Sequence, residues 1–416
     1  MFKKVAAALL ALTLVCSLAV LFTGCGADSN FKVGVILVGD ETEGYSLAHI
    51  NGIKDAAKAL GLSDSQIEWK YKVEENSSCL DAATDLVGKG CSIIFANSYG
   101  HQTFMAQAAE QFPDVTFVSM TGDFAAVSGI ANLKNAFTSV YQARYVSGVV
   151  AGMKVKELVE SGTLTKDTQP GSFDEQGRVK IGYVGAFNYA EVVSGYTAFF
   201  LGIRSVYPDV VMEVNYTNSW FDIDKEAAAA EALIANGCVI IGQHADSTGA
   251  PAATEKLLNS GKICYSVGYN IDMLPTAPNA ALTSPCNHWN VYYEYAINAA
   301  MKGTEIKTDW AEGYETGAVG ITELGASCAA GTAEKVAEVE AALKNGSLQV
   351  FDTNTFTVDG AKLESYPVDL SFIDFSTMTT VYQGETVEAV VNGAFEESTF
   401  RSAPYFTVRI DDIIEK

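Results

Sequence analysis

The chain has few positive charges and no second long apolar run. Its 416 residues carry 27 Lys and Arg against 50 Asp and Glu, which gives a formal charge of −23. So acidic a chain excludes nucleic acid as a partner, because phosphate backbones are bound by clustered Lys and Arg. Beyond Phe22 no apolar stretch reaches the roughly 20 residues that a membrane-spanning helix needs. The absences therefore argue against a nucleic-acid-binding protein and against a membrane protein with several spans.

Signatures of catalysis are missing as well. The chain contains no Gly-x-Ser-x-Gly, no His-Glu-x-x-His and no Gly-x-x-x-x-Gly-Lys-Ser/Thr sequence. Only four histidines occur, none at metal-ligand spacing from another: His49, His101, His244 and His288. We expect a protein that is not an enzyme and has no metal or cofactor. An exported nucleoside hydrolase stays open as an alternative, since two-domain α/β folds also host catalysis.

The N-terminus has the pattern of an export signal. Lys3 and Lys4 precede an uncharged run over residues 5–22, and two small residues then stand before Cys25. This order is typical of a secretory signal peptide, and the small pair before the cysteine fits a bacterial lipobox. We expect residues 1–25 to be a lipoprotein signal peptide, with lipidated Cys25 anchoring the protein on the extracytoplasmic face of the cell membrane. Plain secretion and an uncleaved anchor are the alternatives.

Cysteines give no sign of a disulfide framework. Besides Cys25 the mature part has six, and none belongs to a close Cys-x-x-Cys pair. Cys91 and Cys238 each stand at the start of a predicted strand, where buried free thiols are common. We expect unpaired cysteines in the core.

Short apolar runs alternate with helical patterns along most of the chain. Early runs lie near residues 32–38, 67–73, 92–96 and 115–120, and later ones near 179–184, 211–216, 238–242 and 263–267. Regular alternation of strand and helix predicts parallel sheets, which bind ligands at the carboxyl ends of their strands. The later runs all end in loops rich in aromatic, amide or carboxylate side chains. The sequence therefore predicts two α/β domains with a hinged cleft that holds something small.

Several motifs of the second half belong together. They are Glu191-Val192-Val193-x-Gly195, Thr217-Asn218-Ser219-Trp220-Phe221-Asp222, Gln243-His244-x-Asp246-Ser247 and Gly268-Tyr269-x-x-Asp272-Met273. Other segments fit the same pattern, namely Gly44-Tyr45-Ser46, Ser98-Tyr99-Gly100, Thr121-Gly122, Ala143-Arg144-Tyr145 and Arg401-Ser402-Ala403-Pro404-Tyr405-Phe406. Together these segments resemble the basic membrane protein family of substrate-binding lipoproteins, which serve ABC importers of purine nucleosides or nucleobases.

The resemblance implies a type I periplasmic-binding-protein fold, with two Rossmann-like domains and the ligand between them. Residues 26–145 with about 290–330 would form the first domain and 146–289 the second, while 331–416 would pack across both. It also implies a binding protein that delivers a purine to an ABC permease. We expect a monomer that binds no nucleic acid. A ligand sensor or surface adhesin with the same fold, acting without transport, stays open.

A purine is a flat apolar disc with polar edges, so its site needs aromatic faces and directional hydrogen bonds. We expect Trp220 to stack on the base, with Tyr45 or Tyr99 opposite, and Phe187 and Trp289 nearby. Polar candidates are Ser98, Thr121, Asn188, Asp246, Asn270 and Asp272.

Two of these polar candidates carry particular expectations. Asp272 is the leading acceptor for a ribose diol or ring N–H groups. Asp246 has a structural alternative, as a cap for the helix that begins near Thr248. No lysine follows Thr283-Ser284 as it does in nucleoside-binding relatives, which favours a nucleobase and leaves the exact purine open.

Overall fold

The computed structural model describes residues 30–374, 377 and 379–416. The predicted signal peptide, including Cys25, lies outside these described residues. Within them, no helix has the length and apolar character that crossing a membrane requires.

Twelve of the described strands build two six-stranded parallel sheets, and the others form short antiparallel pairs. In chain order the strands are β1 (Lys32–Ile36), β2 (Ile67–Lys70), β3 (Cys91–Ala96), β4 (Thr116–Met120), β5 (Leu133–Thr138), β6 (Val179–Gly185), β7 (Val210–Tyr216), β8 (Ile240–Gln243), β9 (Tyr265–Val267), β10 (Ala281–Thr283), β11 (Pro285–Asn287), β12 (Asp309–Glu312), β13 (Val319–Ile321), β14 (Pro367–Asp369), β15 (Phe372–Asp374), β16 (Thr379–Tyr382), β17 (Thr386–Glu388), β18 (Val390–Val391), β19 (Ala394–Phe395) and β20 (Ile413–Glu415).

Helices follow most strands of the two sheets. They are α1 (Gly44–Leu60), α2 (Ser78–Gly88), α3 (Gln102–Gln111), α4 (Ala125–Ser128), α5 (Val140–Glu160), α6 (Ala190–Val206), α7 (Ile223–Ala235), α8 (Gly249–Asn259), α9 (Trp289–Lys302) and α10 (Thr332–Lys344). Short 3₁₀ turns cover Asp64–Gln66, Tyr99–His101 and Pro170–Ser172.

The two sheets repeat one topology. The first has the order β12-β5-β4-β3-β1-β2 and the second β10-β9-β8-β6-β7-β20. Every pairing inside them is parallel. The strand order reverses between β1 and β3 in the first sheet and between β6 and β8 in the second. A parallel sheet binds its ligand at such a reversal. The predicted two-domain α/β fold class is confirmed.

Local sequence explains these elements. Parallel strands are covered on both faces, so they are continuous apolar runs, and all four residues of β8 are buried. Asp222 caps α7, because its carboxylate accepts the backbone N–H of Lys225 at 3.0 Å. Helix α1 ends at Gly61, whose φ of 73° is the left-handed conformation typical of a helix C-terminus.

Helices α5 and α6 touch backbone to backbone. A Cβ atom placed on Gly202 would lie 2.1 Å from the carbonyl oxygen of Tyr145, and one on Gly148 would lie 2.1 Å from that of Phe199. Only glycine permits this approach. The small-residue run at 147–152 therefore fixes α5, which leaves the first sheet at β5, against the helix that follows β6.

The C-terminal segment contacts both sheets. Its last strand, β20, pairs with β7 at the edge of the second sheet. The backbone N–H of Ser402 donates to Asp309 in the strand at the edge of the first sheet, at 2.8 Å. The six described cysteines are free, and all but Cys328 are buried, as expected of core thiols.

Candidate functional site

A cavity of about 550 Å³ lies between the carboxyl ends of the two sheets. That volume is within the range of small-molecule sites. Nine of the eleven predicted site residues line it: Tyr45, Ser98, Tyr99, Thr121, Phe187, Asn188, Trp220, Asp246 and Trp289. Each belongs to a loop or helix start that follows a strand, which is why two parallel sheets bring them together.

The second sheet contributes an aromatic wall. Phe187 and Tyr189 stack with ring centroids 5.4 Å apart, and Trp220 lies 5.4 Å from Phe187 at a tilted angle. Trp220 is half-buried. The indole therefore keeps part of its surface available while its neighbours hold it, as a stacking platform requires.

The first sheet contributes a more polar wall. The Tyr45 hydroxyl donates to the carbonyl oxygen of Asn97, and the Tyr45 ring meets His49 edge to face at 4.6 Å. His49 in turn stacks on Trp289 at 4.5 Å. Burial lowers the pKa of His49 to about 3, so this imidazole is neutral and serves packing. Tyr45 and Trp289 are thus held in place by neighbours behind the cavity.

Asp246 lies at the cavity and is 5 % exposed. Its carboxyl group accepts the Asn270 amide at 2.6 Å, and its backbone N–H donates to the carbonyl oxygen of Trp220 at 2.7 Å. Burial raises the pKa of Asp246 well above its ordinary value, and the negative charges of Glu43 and Glu191 raise it further. The protonated acid that burial favours can donate as well as accept a hydrogen bond. At the start of helix α8 the backbone N–H of Gly249 donates to Ser247 Oγ at 3.1 Å, whereas the Asp246 carboxyl accepts from Asn270, so the capping alternative for Asp246 is wrong.

Glu191, at the start of α6, reaches the cavity from a buried polar cluster. Its carboxylate lies 2.9 Å from His244 Nε2 and 3.4 Å from the Tyr269 hydroxyl. Burial and the positive charge of Arg144 lower the pKa of His244 to about 4, so a neutral imidazole donates to Glu191. The Arg144 guanidinium lies 3.6 Å from the centre of the Tyr269 ring and donates to the carbonyl oxygen of Gln243. His244 and Arg144 thus support Glu191 and Tyr269 at the wall of the cavity.

Strained backbone occurs beside the cavity. Thr121 has a φ of 66°, Asn218 of 53° and Asn270 of 62°. Left-handed conformations are costly for a β-branched residue such as Thr121 and persist where the surrounding structure enforces them. All three residues follow strand ends, which identifies these turns as constrained parts of the site.

Two predicted residues are not brought to the cavity. Asn270 is 5 % exposed and holds Asp246 from behind, with its oxygen accepting the Asn287 amide at 3.2 Å. Asp272 is exposed, and its carboxylate accepts the backbone N–H of Leu274 at 2.9 Å. Asp272 therefore lies outside the cavity lining, and the expectation that it contacts the ligand is corrected.

Sequence reasoning missed several cavity residues. These are chiefly Glu43, Glu75, Asn97, Asp123, Glu191, Tyr269 and Arg401. Glu191, Tyr269 and Arg401 stood in the family motifs and were the findable ones, whereas Asp123 and Glu75 had no local signal. Among residues 30–374, 377 and 379–416, no group of three or more His, Cys, Asp or Glu is arranged to hold a metal ion.

Two proteins with similar sequences are named as binding proteins. A sequence profile described as "ABC transporter substrate-binding protein PnrA-like" matches residues 32–353. A purine-binding protein of Brucella abortus is 31% identical over 340 residues, which cover 81% of this chain and 87% of that protein. A putative ABC transporter glucose-binding protein of Haloferax volcanii is 29% identical over 315 residues, 75% of this chain and 72% of that one.

Solved structures agree on the fold. An ABC transporter solute-binding protein from Conexibacter woesei superposes with a TM-score of 0.60 at 17% identity, covering 77% of this chain and 98% of that one. At that identity the likeness concerns the fold alone. The family profile covers most of the chain, and the chain belongs to the PnrA-like family of ABC transporter substrate-binding proteins.

Proposed function

We propose that this protein captures a purine nucleobase or nucleoside outside the cytoplasmic membrane and delivers it to an ABC importer. The observation that carries the proposal is the half-buried Trp220, held by Phe187 and joined through its carbonyl oxygen to the backbone of Asp246. An aromatic face beside a donor and acceptor group fits a flat ring with polar edges. The purine-binding relative from Brucella abortus supports the same ligand class.

The proposed action is hinged capture. The two sheets with their helices would act as the predicted domains, and closure would bring Tyr45 or Tyr99 over the base opposite Trp220. Lipidation of Cys25 would keep the protein near its permease, since a lipid chain contributes about 0.8 kcal/mol of membrane affinity per buried methylene. A Cys25→Ser variant released into the medium would support the anchor, whereas retention on the membrane would contradict it.

A sugar is the second candidate ligand. The relative from Haloferax volcanii is named a putative glucose-binding protein, and aromatic walls bind sugar faces as well as purines. The clustering of three aromatic rings, Phe187, Tyr189 and Trp220, favours the purine, because a flat aromatic ligand can stack on such a wall.

A thermal-shift screen separates these ligands. Purine bases, nucleosides, sugars and amino acids would each be added to the purified mature protein. A micromolar ligand at millimolar concentration stabilises the folded state by about 4 kcal/mol, which raises the melting temperature clearly. We expect a purine to give the largest shift. A shift with glucose and none with adenine, guanosine or inosine would contradict the proposal.

A further inference from the structure

The cavity is lined by carboxyl groups and by little positive charge. Glu43, Glu75, Asp123, Glu191 and Asp246 all reach it, and Arg401 is the basic side chain among the described residues that line it. Burial raises the pKa of Glu43, Asp123 and Asp246, with Arg401 acting against this at Asp123, and protonation of these acids adds no positive charge. A ligand entering this cavity therefore meets acceptors and acids on several sides.

Arg401 is already engaged. Its guanidinium lies 3.2 Å from the Asp123 carboxylate, and its Nε donates to the carbonyl oxygen of Ala403 at 3.3 Å. Asp123 is 5 % exposed and the Arg401 side chain 18 %. Withdrawing the guanidinium toward a ligand would leave a buried carboxylate without its counter-ion, which is strongly unfavourable.

The helix starts at the cavity are occupied too. A helix N-terminus is a ready anion site, because its first N–H groups and its dipole both attract negative charge. Helix α1 begins directly after Glu43, and α6 carries Glu191 in its first turn. At the 3₁₀ turn, Glu75 accepts the backbone N–H of Gly100 at 3.1 Å. The protein's own carboxylates stand where a phosphate would bind.

We propose that the cavity selects unphosphorylated ligands by charge, and that Asp123 enforces the selection by holding Arg401 in an ion pair. The inference rests on the proposed function for the identity of the ligand, and it adds that nucleotides are excluded. A phosphate brings a charge of about −2 at neutral pH, and like charges placed together at a binding site weaken binding strongly.

Titration calorimetry with a nucleoside and its 5′-monophosphate tests the selection. We expect the wild-type protein to bind the monophosphate at least about 100-fold more weakly. Asp123→Asn releases Arg401 and should reduce that ratio about tenfold or more, whereas Arg401→Gln should leave it at least as large as in the wild type. The double variant, Asp123→Asn with Arg401→Gln, loses one negative and one positive charge, so the net charge of the cavity lining equals that of the wild type. Its ratio of nucleoside affinity to monophosphate affinity should return to the wild-type value. Asp55→Asn, on exposed α1 surface, is the matched control for loss of one charge.

A second measurement needs no ligand. It therefore tests whether the cavity repels negative charge even if purines do not bind and the proposed function is wrong. Quenching of Trp220 fluorescence by iodide and by caesium would be measured as the difference between each protein and its Trp220→Phe counterpart. Relative to the quenching of free tryptophan by each ion, we expect caesium to quench more than iodide, and Asp123→Asn to raise iodide quenching about twofold over Asp55→Asn. Equal quenching in the two Asn variants, or equal affinity of the wild type for nucleoside and monophosphate, would overturn the inference. Circular dichroism confirms that each variant is folded.

Discussion

Glu226 holds the two loops that carry Trp220 and Asp246. It is fully buried in α7, and its carboxyl oxygens accept the backbone N–H of Asp222 at 3.1 Å and of Ser247 at 3.1 and 3.2 Å. These N–H groups lie two residues after Trp220 and one after Asp246. Burial raises the pKa of Glu226 to about 7, so at neutral pH an amide is a close mimic of this side chain. Glu226 is therefore a positioning residue for the proposed site.

Replacing Glu226 should weaken ligand binding through the loops. Glu226→Ala removes the acceptor of a buried N–H group at Ser247 and of a half-buried one at Asp222. An unsatisfied buried donor costs about 1–3 kcal/mol and the half-buried one costs less, so we expect a loss of about 1–4 kcal/mol in the free energy of unfolding. We also expect about tenfold weaker binding, because the loops lose their pre-organised geometry. Glu226→Gln keeps an acceptor oxygen and should stay within about threefold of wild-type affinity.

The control separates positioning from general destabilisation. Leu86→Ala, in the core beside the first sheet, should lower the free energy of unfolding by about 2–5 kcal/mol and leave ligand affinity unchanged. Urea unfolding and titration calorimetry would be run on the three variants. Wild-type affinity in Glu226→Ala, or an equal loss of affinity in Leu86→Ala, would show that Glu226 does not position the binding loops.

Three further predictions concern other contacts. Trp220→Ala should weaken purine binding by about 1–3 kcal/mol, the cost of losing one stacking face. Trp69→Ala, the control, removes a ring that stacks on Tyr71 and should leave purine binding unchanged. Equal losses of affinity in the two variants would show that Trp220 is not part of the site. Burial raises the pKa of Glu397 from 4.5 in the unfolded chain to about 7. The stability that the protonated Glu397 contributes is therefore fully present below pH 4.5 and is lost as the pH rises through about 7, by about 3 kcal/mol at most. The melting temperature should fall between these pH values, and Glu397→Gln should flatten the fall. Gly202→Ala should lower the free energy of unfolding by about 1–3 kcal/mol or more, because the added Cβ pushes α5 away from α6. Gly88→Ala, where a Cβ meets nothing within 4 Å, should be neutral or stabilising in urea unfolding. Equal effects of the two substitutions would show that the close approach of α5 and α6 does not require glycine.

The sequence predicted those parts of the fold that have a local signal. Strands β6 and β8 are continuous apolar runs, and the loops after them carried recognisable polar motifs. Strand β20 had no such signal, because its partner β7 lies about 200 residues earlier in the chain and the pairing becomes visible only in the folded protein. The second sheet's edge was therefore missed.

The candidate site shows the same division. Trp220 and Asp246 were found because each follows a strand directly. Asp272 was placed in the site because it stands in a family motif, whereas its exposed carboxylate accepts the backbone N–H of Leu274. Asp123 and Arg401 were missed as a pair because 278 positions separate them, and only the crossing of the C-terminal segment brings their charges to 3.2 Å.

The most direct test of the central claim is titration calorimetry of the purified mature protein with adenine, a purine nucleoside and glucose. We expect saturable binding of a purine at micromolar concentration or tighter, with glucose giving no heat of binding. Saturable binding of glucose together with no binding of any purine would contradict it.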